Sequence, residues 1–241
     1  MTLYLVDDHG AATARVTTLV ATAVRELPSI VLGLPTGQTP LTLYGELAAA
    51  GLDWSGARTF NIDEFATLSA DHAGSFRRFM DQHLFRHINL PLEAIGFLRG
   101  DAPDEAAECV RYDAAVAAAG GLDLLLVGLG ANGHIGFNEP GESLQAESHA
   151  VHLHASTRRA NAGAFGGDWL KVPDRALTMG MRQVLSARRV VMLATGPSKA
   201  EAVAAMLDGP LTTWCPASWL QTHPDVTVVL DRAAAGARTP G

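Results

Sequence analysis

The 241-residue chain has two cysteines and two lysines, and aromatic residues make up 6% of it. Cys109 and Cys215 share no metal-ligand spacing, so neither a disulfide framework nor a thiolate metal site is expected and both thiols read as buried spectators. No apolar run reaches the roughly 18 residues of a membrane span. The opening residues Met1 to Leu5 lack the charged-then-apolar layout of a secretion signal, so a cytoplasmic protein with no membrane partner is expected. A net charge of −7 excludes a general nucleic-acid surface, which needs clustered Lys and Arg. Any anionic ligand must therefore find a local basic site. With lysine confined to Lys171 and Lys199, each invites a specific question.

What is present is an alternation. Apolar runs at 3–6, 30–34, 59–62, 122–127, 190–193 and 226–230 are separated by segments of helical composition at 11–27, 39–50, 75–87, 103–119 and 198–207. This predicts an α/β fold, a doubly wound and mostly parallel Rossmann-like sheet with helices on both faces, in a single domain over 1–241. No internal repeat or charged linker divides the chain, and 233–241 reads as a frayed tail. Ligands of such sheets gather at the carboxyl ends of the strands, near the point where strand order reverses.

Four unusual segments fall at expected strand ends. Residues 128–141, Gly-Leu-Gly-Ala-Asn-Gly-His-Ile-Gly-Phe-Asn-Glu-Pro-Gly, put an imidazole (His134) and a carboxylate (Glu139) on one glycine-rich excursion. Its glycines, Gly130 and Gly133 among them, let backbone amides approach a ligand. Residues 33–40, with Gly33, Pro35, Thr36, Gly37, Gln38 and Thr39, offer free amides ahead of a helix to a phosphate or carboxylate. They fit equally a plain turn with Thr39 as N-cap and Pro40 at the first helical position. In Phe60-Asn61-Ile62-Asp63-Glu64-Phe65 the two carboxylates point to opposite sides of an extended chain and have different jobs, with Asp63 the one expected to enter the site as a base. In the fourth segment, residues 194–200, Lys199 at the start of a helix opposes the helix dipole; an anion between them would resolve the conflict, and otherwise it is a solvated lysine. His149, His152 and His154 have no matched ligand set, so no metal is expected and they read as a histidine-bearing strand near the site.

Together these segments resemble the glucosamine-6-phosphate deaminases, in the family that also contains 6-phosphogluconolactonase. The likeness runs from about residue 30 to 231 and rests on residues 33–40, 60–65 and 132–141, with support from Ala176-Leu177-Thr178-Met179-Gly180 and residues 216–223. Phe137-Asn138-Glu139-Pro140 looks like the deaminase branch. The resemblance implies a Rossmann-like fold and a reaction without metal or cofactor, turning glucosamine 6-phosphate and water into fructose 6-phosphate and ammonia. It implies Asp63 as the base moving a proton from C2 to C1, and His134 with Glu139 and Asn132 as the ring-opening group. Gly33, Pro35, Thr36, Gly37, Gln38, Thr39, Glu64, Gly130, Gly133, Ser143, Arg158 and Lys199 would bind the substrate.

This chain departs from the family at three places. Asn132 stands where many members carry an acid, though some carry Asn. Glu142 stands where a small hydroxyl residue is usual, with Ser143 beside it. Gly163 stands where an arginine follows Arg158-Arg159-Ala160-Asn161-Ala162. A lost charged hydrogen bond costs about 1.5–3 kcal/mol, so the phosphate end demands compensation: Glu142 turned outward, Arg158 or Arg159 substituting, or a substrate without the phosphate. An unphosphorylated or differently substituted amino sugar, and a sugar-phosphate sensor without turnover, are the alternative readings, with lactonase activity weaker still. A monomer or homodimer is expected, because the basic residues and longer C-terminal region of allosteric hexameric relatives are not found.

Overall fold

The computed structural model of the protein describes residues 1–236 and 238. In chain order its elements are β1 (Thr2–Val6), α1 (His9–Glu26), β2 (Val31–Leu34), α2 (Leu41–Ala49), β3 (Arg58–Asn61), β4 (Asp63–Phe65), α3 (Phe76–His83), β5 (Ile95–Gly96) and α4 (Glu105–Ala118). There follow β6 (Leu124–Gly128), β7 (His149–His152), α5 (Ala155–Asn161), β8 (Arg175–Thr178), α6 (Met181–Ser186), β9 (Val190–Ala194), α7 (Ala200–Asp208), β10 (Val226–Asp231) and α8 (Arg232–Ala235).

Seven strands form one sheet in the order β1-β10-β9-β6-β2-β3-β5, and every pairing in it is parallel. The apolar runs explain why. Alternate side chains of a strand face opposite sides of a sheet, so a strand covered on both faces needs both sets apolar. Leu32 and Leu34 of β2, Leu124 and Leu126 of β6, and Val191 and Leu193 of β9 join one core with Val16, Val20, Leu43 and Met80 from α1, α2 and α3. Val31, Leu125, Val127, Val190 and Met192, from the same three strands, join a second core with Tyr112, Val184 and Val203 from α4, α6 and α7. The expected doubly wound architecture is the observed one.

Helix starts follow from local chemistry. Asp8 accepts from Ala11 N at 2.8 Å and Asp104 from Ala107 N at 2.9 Å, each satisfying a free amide of the first turn. At α2 the capping reading fails: the helix begins at Leu41, Pro40 precedes it, and no side chain caps it. The tail is also shorter than expected, because Ala234 and Ala235 lie in α8 at 0% and 1% exposure. The rest of that expectation, at 237 and 239–241, lies outside the described residues.

Strand order reverses between β2 and β6. From β2 the chain adds β3 and β5 on one side, whereas from β6 it adds β9 and β10 on the other. A second sheet, antiparallel in the order β4-β8-β7, sits over that carboxyl end. The chain enters it at Ile62, whose N–H still donates to Leu34 O while its carbonyl accepts from Met179 N at 2.7 Å. One residue therefore joins the two sheets and swings Asp63 over the crevice.

Candidate active site

A cavity of about 400 Å³ opens at this switch point. It is walled by the loops after β2, β6 and β9, by Asp63 at the start of β4 and by one face of α5. Convergence of the four unusual segments is thus a matter of topology: three follow strands of the large sheet, and the fourth follows the crossover into the small one.

Asp63 and Glu64 divide as period-2 geometry requires. Asp63 lines the cavity, is 6% exposed, and holds Oδ1 buried without a hydrogen-bond partner. Burial, and then the Glu64 charge beside it, push its carboxyl well above the usual carboxylate range. Glu64 turns the other way, into the N-terminus of α3. Its carboxylate accepts from Ser75 Oγ at 2.7 Å, from Phe76 N and Arg77 N at 2.9 Å, and from Phe65 N at 2.8 Å. Free amides at a helix start suit a carboxylate, so Glu64 is an anchor fixing β4 against α3 and does not line the cavity. Its assignment to substrate binding is corrected to this role.

The 128–141 loop is folded around its own polar groups. Asn138 donates to Ile135 O at 3.0 Å and to Met179 O at 2.8 Å, and Phe137 N donates to Thr178 Oγ1 at 3.0 Å, so the loop is stitched to β8. Gly130 lies against the His134 ring: a Cβ there would sit 2.4 Å from ring atoms. Gly133, at φ +88°, has a left-handed backbone, and a Cβ would meet Cys215 Sγ at 2.8 Å. These two glycines shape the loop. Glu139 lies beneath the cavity floor at 8% exposure. Its Oε2 accepts from Asn132 Nδ2 at 2.8 Å and faces His134 Nδ1 at 3.5 Å. Hydrogen bonds from His134, Thr157 and Asn132, with the attraction of His134, outweigh burial and hold its carboxyl down at about 2. It is a fixed anion behind an imidazole that faces the cavity.

The loops after β2 and β9 contribute Thr36, Gly37, Gln38 and Thr39 with Ser198 and Lys199 to the wall. Lys199 ends a 3-10 turn, Pro197–Lys199, just ahead of α7. Among the described residues it is the one lysine or arginine lining the cavity, and it pairs with no carboxylate. Burial lowers its pKa from the ordinary lysine value, as expected where a cation lacks a partner.

Other expected binders lie elsewhere. Gly33 is a strand residue packed on Leu125, where a Cβ would come within 2.3 Å of Cδ1. Ser143 and Glu142 are exposed and outside the cavity, so Glu142 does point outward. The Arg158 guanidinium donates to Val172 O at 2.8 Å and Leu170 O at 3.2 Å and lies over Trp169. Arg159 lies over the same ring, so neither arginine replaces the one missing at Gly163. The cavity instead takes the α5 face of Ser156, Thr157, Ala160 and Asn161, which sequence reading passed over. Helical periodicity holds the signal, since 157, 160 and 161 share a face that excludes 158. His154, read as part of a histidine-bearing strand near the site, precedes α5 instead of lying on β7, and its Nδ1 is 3.7 Å from Glu139 Oε2. Among the described residues no three His, Cys, Asp or Glu side chains are grouped to hold a metal ion.

Comparison with known proteins agrees with this geometry. The family model for glucosamine-6-phosphate isomerases/6-phosphogluconolactonase matches residues 9–229, beginning earlier than the motifs alone suggested. The glucosamine-6-phosphate deaminase of Rhodopirellula baltica is 45% identical over 235 residues, covering 96% of this chain and 93% of that protein. That of Geobacillus sp. (strain WCH70) is 44% identical over 220 residues, covering 90% and 87%. The solved structure of a monomeric glucosamine-6-phosphate deaminase superposes with a TM-score of 0.95 at 39% identity, covering 99% of this chain and 100% of that one. A 6-phosphogluconolactonase from Thermotoga maritima, at TM-score 0.76 and 21% identity over 95% and 98% of the two chains, shares the fold. The chain belongs to the glucosamine-6-phosphate isomerase/6-phosphogluconolactonase family.

Proposed function

We propose that the protein is a glucosamine-6-phosphate deaminase, converting glucosamine 6-phosphate and water to fructose 6-phosphate and ammonia. The observation that carries this reading is one cavity whose wall holds proton-transfer groups, Asp63 and His134 with Glu139 behind it, together with a lone lysine and the loop of residues 36–39. His134 takes the proton of the anomeric hydroxyl and passes it to the ring oxygen, which opens the pyranose and leaves a C1 aldehyde. Glu139 holds the imidazole in place and stabilises its cationic form, and Asn132 holds Glu139. Asp63 removes the C2 proton and delivers it to C1 through an enediol-type intermediate. The ketimine left at C2 adds water and expels ammonia.

The raised Asp63 carboxyl suits this step, because a group that retains its proton strongly is a strong base once ionised. Holding base and substrate together supplies much of the acceleration that an isolated carboxylate cannot. At the far end Lys199, with the amides and hydroxyls of residues 36–39 and Ser198, would hold the phosphate without an arginine. Likeness to the monomeric relative supports a monomer, which sedimentation checks, and a cytoplasmic location accords with the same reading.

The test is ammonia release by purified protein from glucosamine 6-phosphate and from glucosamine in parallel. Turnover of the phosphate ester with fructose 6-phosphate as product is the expected result. Turnover of the free sugar alone would move the assignment to an unphosphorylated amino sugar, and ligand-induced stabilisation without product would make the protein a sensor.

A further inference from the structure

Glu139 carries the negative charge of the ring-opening cluster, and two imidazoles share it. His134 Nδ1 lies 3.5 Å and His154 Nδ1 3.7 Å from the same oxygen, Oε2. Oε1 accepts from the backbone N–H of His154 at 3.2 Å, so the second histidine is tied to the carboxylate by main chain as well as by proximity. The side chains differ in access: that of His134 is 18% exposed and that of His154 is 48% exposed. Asn132 hydrogen-bonds Glu139 but adds no charge. Two imidazolium ions around one carboxylate oxygen repel each other, so protonation of one disfavours protonation of the other.

We infer that His154 is a positioning residue for ring opening, acting through Glu139 to set the protonation state of His134. This rests on the deaminase reading above for its consequence in catalysis. The groups around His154 support it. Glu139 and His134 face it from the loop after β6. On α5, which follows it, Arg158 and Arg159 lie over Trp169. Leu153 beside it donates through its backbone to Asp174 O, and the ion pairs within 4 Å of the His154 ring include Glu139 and not Asp174. A positive charge at position 154 competes with His134 for the Glu139 charge, and so favours the His134 form that can accept the anomeric proton.

The experiment is the pH profile of kcat/KM for the unaltered protein, His154→Gln and His154→Lys, with ring-proton NMR titration of His134 in the same three proteins without substrate. In His154→Gln the acid limb and the His134 titration both move to higher pH, and activity at the foot of the limb falls about threefold. In His154→Lys, which keeps a charge, both stay near those of the unaltered protein or move lower. A uniform loss of kcat with unmoved limbs, or rescue of the profile by Gln, would make His154 merely structural and overturn the inference. A shifted His134 titration in protein that releases no ammonia would sink the deaminase reading and leave the coupling standing.

Discussion

The two ends of the cavity are built differently. At the proton-transfer end each side chain is fixed by several others: Asp63 by a strand anchored through four bonds to Glu64, and His134 by Gly130, Glu139 and Asn132. At the anion end one unpaired lysine stands on a 3-10 turn opposite a glycine-containing loop. Proton transfer needs groups placed within a fraction of an ångström, whereas an anion needs charge and a few amides in reach. The difference teaches that chemistry and affinity are separable here, so substitutions at one end should move kcat and those at the other KM.

The largest effect is expected at Asp63. Asp63→Asn keeps the shape and removes the base, and kcat falls by roughly 10²–10⁴-fold with KM little changed, as steady-state kinetics will show. Stability gives an independent check. Because burial raises the Asp63 carboxyl above its unfolded value, its contribution is fully present below the ordinary carboxylate range and is lost as pH rises through the raised value. The variant should therefore lose less stability than the parent between acid and neutral pH. An Asp63→Asn protein with high kcat would end the contrast between the two ends.

Lys199→Ala breaks the comparison from the other side. Losing one charged hydrogen bond to the phosphate costs about 1.5–3 kcal/mol, a rise in KM of roughly 10- to 150-fold, with kcat held within about threefold. The same variant should discriminate less between glucosamine 6-phosphate and glucosamine. Loss of kcat with unchanged KM would place Lys199 in the chemistry instead.

Next in size is the pH dependence of Glu139. Its carboxyl is held at about 2, so its contribution to stability is present above the ordinary carboxylate range and is lost as pH falls toward that value. We expect Glu139→Gln to cost about 2 kcal/mol at pH 7 and much less near pH 2, measured by denaturant unfolding at both. An equal cost at the two pH values would mean that the carboxylate's charge is not what stabilises the loop.

Legibility differed between the same two ends. The sheet, the face-switching of Asp63 and Glu64 and the His134–Glu139 loop could be read, because period-2 alternation and glycine-rich strand ends are local signals. Three strands could not: β4, β5 and β8, of two to four residues, hold no apolar run like those of the large sheet, and β7 was read as a strand but carried on to His154. Arg158 was read as a binder from a pattern of residue types, and only its place on α5 shows that it faces Trp169 and the Val172 carbonyl. His154 carries no motif at all; its relation to Glu139 depends on where β7 ends and α5 begins, and boundaries are the weakest part of a sequence reading.

Gly163 sharpens the comparison most finely, because the family pattern puts there the guanidinium that this chain lacks. It sits on the 3-10 turn Ala162–Phe165, two residues beyond Asn161 of the cavity wall, and a Cβ built on it meets nothing within 4 Å. Space for a side chain exists without repacking. Gly163→Arg would add a long cation to the end that has one lysine, and its flexible arm spends part of the gain on ordering. A fall of about threefold in KM for glucosamine 6-phosphate is expected, about 0.7 kcal/mol, with kcat unchanged and the effect fading at high salt. If KM does not move while Lys199→Ala raises it as predicted, the anion sits wholly against α7 and the 36–39 loop, and the arginine position is simply out of its reach in this fold.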